Sequence, residues 1–309
     1  FGSSDVSSGP AATVVIQCNI QSLLQHTSRM AGSNLRSRAR EGEADKKAGK
    51  MALSVVVPTY NETENIRPLC ERLFKKVKAI NLETELIIVD DESTGSEETE
   101  KIAKQLAAEG HPVRIHCRKR VEGRGLSSAV LLGFKLAAHP YLLCMDADLQ
   151  HEPESVPDIA QHVMEGTAEF SVGSRHVDGG GVGFEWSLLR RLVSRGATML
   201  AWPVAACSDP MSGFFCVSKK VLQRGDGRFN LIGFKIGLEI MVRCRCHPIK
   251  DVAITFQERA AGESKLSAKQ YKLYLEQLAS LYWDRFGLLL VLFFLLLLAA
   301  VLFLVGKLM

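Results

Sequence analysis

Residues Tyr141 to Pro153 read YLLCMDADLQHEP. A short apolar run ends in Asp146-Ala147-Asp148, with Gln150 two residues on and Pro153 closing the segment. A buried parallel strand is apolar along its length, so two acids at its end are costly unless something pairs with them. A divalent cation carrying a phosphate meets that need. Mg²⁺ or Mn²⁺ takes hard oxygen ligands, usually one or two carboxylates plus phosphate oxygens. Asp146, Asp148 and Gln150 are spaced by two and share one side of an extended segment, so they are the candidate metal ligands. On these residues alone the competing reading is a surface turn after a strand.

The flanking sequence favours the first reading. LSVVV, from Leu53, is a continuous β-branched run of buried-strand type, stopped by Pro58. PTYNETENI leads into a helix with Ile66, Leu69, Leu73 and Val77 at helical spacing. TELIIVDDES is the next strand, SEETEKIAKQLAAEG a helix with an acidic first turn, PVRIHC a third strand and LSSAVLLGFKLAAH a third helix. Regular alternation predicts an α/β fold: a mostly parallel sheet with helices on both faces. Ligands of such sheets bind beyond the carboxyl ends of the strands. Pro58-Thr59-Tyr60, Asp90-Asp91 and Asp146-Ala147-Asp148 all fall there. Further on, EFSVGSR is a strand ending in Ser174-Arg175, and SDPMSGFFCVSK and KDVAITFQER carry two more. Glu185 to Pro203 reads as an amphipathic helix, with Arg190, Arg191, Ser194, Arg195 and Thr198 on its polar side.

The 309 residues are 47% hydrophobic and 23% charged, ordinary globular material outside the C-terminus. A formal charge of +4 is mild and gives no sign of a nucleic-acid partner. Eight scattered cysteines suit reduced thiols in a cytosol-facing protein. Cys244-Arg245-Cys246-His247 lacks a second ligand pair at zinc spacing. Residues 1–50, rich in Ser, Gly, Ala and Arg, are expected to be a disordered leader. Phe286 to Val305 is uncharged and 20 residues long. At about 1.5 Å per residue it matches a bilayer core of roughly 30 Å, which predicts a transmembrane helix over 286–306 after a juxtamembrane helix over 267–285. Tyr282 and Trp283 would anchor it at the interface. Lys265, Lys269, Lys272 and Arg285 precede it and only Lys307 follows, which places the large domain in the cytosol.

Gly123-Arg-Gly125-Leu-Ser-Ser128 resembles a dinucleotide fingerprint, but Ser128 stands where the third glycine belongs. That reading would also leave the Pro58–Glu62 segment and Asp148 without a role.

The ordered set VVVPTYNETENI, ELIIVDDES, MDADLQHEP, VGSRHVDGGG, SDPMSGFFCVSK, GFKIGLEI and RAAGESK, across roughly Leu53 to Leu266, resembles a family-2 glycosyltransferase of the dolichol-phosphate mannosyltransferase group. The terminal span resembles its single-chain form. DDESTGSEE departs from the usual Asn and Pro-Asp-Gly turn after the two acids. The resemblance implies a GT-A domain over 51–266, GDP-mannose as donor and a dolichyl (polyprenyl) phosphate in the bilayer as acceptor. It implies that Pro58, Tyr60, Glu62, Val89 and Asp91 border the nucleotide. Asp146 would face the donor, and Asp148 and Gln150 would hold Mg²⁺ or Mn²⁺. Arg259 and Lys265 would close over the phosphates. The product would serve glycosylation and GPI-anchor synthesis from the endoplasmic reticulum membrane. Small membrane regulatory subunits are compatible with this reading and not required by it.

The chemistry explains the residue types. The acceptor phosphate is already an anion, so no general base is expected; cations are needed to hold two repelling anions together. Arg190 and Ser194, at i and i+4, share a helix face that suits a phosphate, and Arg175 approaches from the preceding strand end. Asp148, Arg175, Arg190 and Ser194 are therefore the candidate catalytic residues. Arg191 points about 100° away from Arg190 and is expected to matter less. In-line attack would invert the α-linked sugar. Two other readings stand beside this one: a UDP-glucose-dependent sister enzyme, and a non-catalytic, membrane-tethered nucleotide-binding subunit.

Overall fold

The computed structural model describes residues 51–184, 188–259 and 268–308. The expected leader, residues 185–187 and the 260–267 segment with Lys265 lie outside the described residues.

Strands β1 (Ala52–Thr59), β2 (Glu83–Asp90), β3 (Val113–Cys117), β4 (Tyr141–Cys144), β5 (Phe170–Ser174), β7 (Phe215–Ser218) and β8 (Ile249–Ala253) form one sheet, ordered β3-β2-β1-β4-β7-β5-β8. All neighbours are parallel except β7, which runs antiparallel to both β4 and β5. β6 (Gly181–Val182) pairs separately with β9 (Thr255–Phe256). β4 and β5 therefore point the same way, and the ends of β1, β2, β4 and β5 share one rim. The parallel α/β expectation holds, with β7 as the exception.

Period-two side-chain alternation feeds two cores. Val56, Ile87 and Val89 face one, with α3 (Leu126–Leu136) and α7 (Ile236–Arg243). Val55, Val57 and Ile88 face the other, with α1 (Thr63–Ala79), α2 (Ser96–Ala108) and α4 (Val156–Met164). Burial on both faces is why these strands read as unbroken apolar runs.

α5 (Leu188–Ala201) forms within the predicted amphipathic segment, and the short α6 (Lys219–Leu222) follows β7. On α5, Leu192 and Met199 are 66% and 74% exposed, while Ala201 at its end is buried in the core. α8 (Ala268–Leu308) is one helix of 41 residues. Tyr274, Leu278 and Leu281 bury its first half against the α7 side of the sheet. The described residues alone contain no helix long and apolar enough to cross a membrane.

Gly133 marks the closest approach of α3 to the sheet. A Cβ there would press into the Val56 side chain and stand 3.1 Å from Val89 Cγ2. Val56 is fully buried and cannot swing away. Overpacking of this kind costs about 1–3 kcal/mol, against roughly 1 kcal/mol gained in helix propensity. Gly133→Ala should therefore lower the urea midpoint, and adding Val56→Ala should recover part of the loss.

Candidate active site

The β1 and β2 ends build the first wall. Asp90 is fully buried and accepts hydrogen bonds from Ser93 N (2.9 Å), Ser93 Oγ (2.6 Å), Thr59 Oγ1 (3.1 Å) and Ser96 Oγ. Its role is to pin the turn after β2. Asn61 ties the neighbouring loop to this turn: its N–H donates to Ser93 Oγ (2.8 Å), and its side-chain oxygen accepts from Thr94 N (3.0 Å). Asp91 accepts from Gly125 N at 2.8 Å and is paired with Arg118, whose Nη1 donates to Ser128 Oγ at 2.8 Å. The segment that resembled a dinucleotide fingerprint thus braces Asp91, with Gly125 at a positive φ of 97°. Pro58 and Val89 face each other in the β1–β2 register. Both are buried, whereas Tyr60 is exposed on the rim.

The β4 end builds the floor. Asp148 Oδ1 accepts from Gln150 N at 3.1 Å, and Oδ2 lies 2.8 Å from Arg259 Nη2. Arg259 Nη1 is 3.6 Å from Glu62 Oε1. The other Glu62 oxygen accepts from Asn65 Nδ2 at 2.9 Å. Gln150 donates through Nε2 to Gln257 O (3.0 Å) and accepts Gln257 N at its own carbonyl (2.9 Å), which docks the segment after β9 on the acidic turn. A Cβ on Gly213 would meet Asp146 Oδ2 at 3.0 Å, so a larger residue there would press on the carboxylate. Burial raises both Asp146 and Asp148 above the usual carboxyl range. The Asp146 charge adds to the shift on Asp148, and Lys235 and Arg259 oppose the shift on Asp146. His151 is buried, with Nδ1 3.7 Å from Asp146 Oδ2, between Phe214 (5.1 Å) and Phe256 (5.3 Å). Burial pulls its imidazole down to about 4, so it is neutral at pH 7.

Two neighbouring carboxylates, Asp148 buried and Asp146 partly open, offer hard oxygens that fit a divalent cation. Among the described residues no group of three His, Cys, Asp or Glu side chains could hold one alone. Substrate oxygens would have to complete the coordination shell.

The β5 end builds the second wall. Arg175 donates to fully buried Asp209 through Nε (2.7 Å) and Nη2 (2.9 Å), and its guanidinium carbon sits 5.1 Å from the Phe256 ring centroid. A cleft of about 280 Å³ opens beside it, lined by Arg175, His176, Val182, Phe184, Arg191, Ser194 and Arg195. Arg190 lies with its guanidinium carbon 5.9 Å from the Phe184 ring centroid. Lys235 Nζ donates to Met211 O at 2.6 Å. Burial, helped by the Arg175 charge, lowers Lys235 to about 8.

The structure thus gathers Glu62, Asp146, Asp148, Gln150 and Arg259 at one place, and Arg175, Ser194 and the flanking α5 arginines at another. Sequence reasoning passed over Asp209, Lys235 and Arg118. For Asp209 the signal was present: a lone acid in an otherwise uncharged SDPMSGFF run.

Burial would raise the Asp209 carboxyl, but the hydrogen bonds and charge of Arg175 outweigh it and hold the group below its ordinary value. A depressed native pKa stabilises the fold above the unfolded value of about 3.9, and the contribution is lost as pH falls through the native value. Breaking a buried pair costs about 3–5 kcal/mol. Asp209→Asn should show a loss toward the lower end of that range in urea unfolding at neutral pH. The gap to wild type should close in acid.

Residues 54–224 match the Glycosyl transferase family 2 profile. The chain is 44% identical over 241 residues to a dolichol-phosphate mannosyltransferase of Mycosarcoma maydis, covering 76% of this chain and 80% of the relative. The fold is similar to crystalline mannosyl-3-phosphoglycerate synthase of Rubrobacter xylanophilus, with a TM-score of 0.56 and 17% identity over 78% of this chain and 77% of the other. It is also similar to glucosyl-3-phosphoglycerate synthase of Mycobacterium tuberculosis in complex with Mn²⁺, UDP and glucosyl-3-phosphoglycerate, with a TM-score of 0.50 and 19% identity over 79% and 82% of the two chains. The rim that carries Asp146 and Asp148 is that of a family-2 glycosyltransferase, and the chain belongs to that family, within the dolichol-phosphate mannosyltransferase group.

Proposed function

We propose that this protein transfers mannose from GDP-mannose to dolichyl phosphate with inversion, giving dolichyl β-D-mannosyl phosphate. The observation that carries the reading is the pairing of two unlike sites on one rim. Asp146 and Asp148 form an acidic floor that suits a metal–diphosphate, and a basic cleft beside Arg175 suits a second phosphate. The name of the 44%-identical relative supports the sugar and the acceptor. The Mn²⁺ and UDP complex of the similar fold supports a divalent cation.

Asp146 and Asp148, with Gln150 beside them, would hold Mg²⁺ or Mn²⁺, which supplies positive charge to the departing diphosphate. Arg259 reaches the same floor and is placed to add charge there. Pro58, Tyr60, Glu62 and Asp91 line the approach assigned to the nucleotide. Arg175, Arg190 and Ser194 are assigned to the acceptor phosphate, which attacks as an anion and needs no base.

The acceptor's polyprenyl tail stays in the bilayer, so the rim must work at the membrane surface. The uncharged run Phe286 to Val305 lies within α8 and supports a single-pass anchor. The exposed Leu192 and Met199 of α5 support contact with the lipid surface. We place the domain on the cytosolic face of the endoplasmic reticulum membrane.

Two measurements test this reading. Asp148→Ala should reduce kcat at least a hundredfold, as loss of a contact worth roughly 3 kcal/mol in the transition state would. A near-normal rate for the variant after chelation overturns the metal assignment. Deletion of Phe286–Met309 should leave GDP-mannose affinity intact and lower turnover on bilayer-embedded acceptor, while a short polyprenyl phosphate in detergent restores much of the rate. Equal losses on both acceptors would mean that the segment props up the fold.

A further inference from the structure

Arg191 and Arg195 stand four residues apart on α5, and both line the cleft beside Arg175. Like charges at this spacing destabilise a helix. Many other arginines here neutralise themselves on carboxylates: Arg72 on Glu154, Arg118 on Asp91, Arg224 on Glu169. Among the described residues neither Arg191 nor Arg195 has an ion pair. Among the described residues no carboxylate lines the cleft, and His176 and Ser194 add donors to it. One wall is apolar, made by Val182 and Phe184, and the same helix exposes Leu188, Leu192 and Met199 to the outside. Uncompensated charge over an apolar wall, next to an apolar surface, is the complement of a phosphate carried on a hydrocarbon chain.

We propose that Arg191 and Arg195 form a second cation pair for the acceptor, reading its terminal phosphomonoester and favouring a dianion over a phosphodiester. This rests on the acceptor reading above and extends it to the opposite side of Ser194 from Arg190. At about 100° per residue, Ser194 stands roughly 40° from Arg190 and 60° from Arg191, between the two arginine sets. Both sets can share one phosphate through it. The pair contributes before and during transfer by holding the acceptor, and no bond changes at these residues.

The test uses the full chain in neutral detergent, with GDP-mannose and a short polyprenyl phosphate. For Arg191→Gln/Arg195→Gln, acceptor KM should rise about tenfold to a hundredfold, the range for losing one charge-assisted contact or more. Affinity for GDP-mannose should be unchanged, and the melting temperature should not fall, since a like-charge pair is removed. Farnesyl phosphate should bind wild type more tightly than its methyl phosphodiester, and the double variant should lose that preference. Arg191→Lys/Arg195→Lys should retain part of the effect, since charge remains without the planar fork. An unchanged acceptor KM and unchanged farnesyl phosphate binding overturn the inference. So does a defect that appears only on phosphatidylserine vesicles and not in neutral micelles, which would make the pair a reader of bulk lipid headgroups. An equal loss of GDP-mannose binding would place the pair on the donor instead. If wild type binds farnesyl phosphate with the stated preference yet transfers no mannose, the proposed function fails while the pair stands.

Discussion

The cost of placing carboxylates at a desolvated strand rim governs this structure. Acids crowd the ends of β1, β2, β4 and the β7 loop, among them Glu62, Asp90, Asp146, Asp148 and Asp209. An isolated buried charge is far too expensive to keep, so each must find partners. Asp90 takes turn donors from Ser93 and Thr59 and becomes part of the scaffold. Asp209 takes the fork of Arg175. Glu62 and Asp148 share Arg259. Asp146 meets Gly213 and a neutral His151, and burial lifts its carboxyl upward. The floor therefore keeps an unspent attraction for positive charge, as a site for a metal-bound diphosphate requires.

The sheet order explains why the two anion sites are neighbours and not one. β4 carries Asp146 and Asp148, β5 carries Arg175, and antiparallel β7 lies between them. Its entry loop, Asp209 to Phe214, crosses the rim between acidic floor and basic cleft. That loop contributes Asp209 to orient Arg175 and Gly213 to admit Asp146. Phe256 extends the partition, touching His151 on one side and Arg175 on the other. A wall of rings and a buried ion pair thus separates the negative centre from the positive one, at strand-to-strand distances.

Much of this was legible in the sequence, for a simple reason. A parallel sheet covered on both faces writes its strands as apolar runs, and acids that interrupt such runs at their ends announce the rim. Asp146, Asp148 and the Asp90-Asp91 pair were visible that way. The division of labour between Asp90 and Asp91 was not, since both sit in one turn and only the hydrogen bonds from Ser93 and Gly125 tell them apart. The reversal of β7 was also hidden, because antiparallel and parallel central strands bury the same apolar residues. On α5 the spacing pointed to the Arg190 side of Ser194, and it hid that Arg191 and Arg195 line the cleft beside Arg175. Phe184 stands between the two sets, lining the cleft and with its ring centroid lying 5.9 Å from the Arg190 guanidinium carbon.

The least legible part is the junction between the sheet domain and α8. Glu239 and Gln277 are fully buried in what periodicity marks as apolar helix faces. Arg243 donates to Glu239 (3.0 Å), Asp284 (2.9 Å) and Ser280 (2.7 Å), and Gln277 donates to the other Glu239 oxygen (3.0 Å) and to the Lys235 carbonyl (3.3 Å). Apolar packing alone would let two helices slide by a turn at modest cost. A network of directional bonds does not, because a shift of one turn would strand several buried charges at once. The contacts at Gln277, Ser280 and Asp284 fall on one face of α8, so its rotation is set together with its height. Lys235 closes the chain of contacts: its carbonyl receives Gln277, while its ammonium sits at Met211 within the field of Asp146 and Arg175. The rim that handles the substrates and the helix that leads into the apolar tail are therefore fixed by one set of buried polar groups.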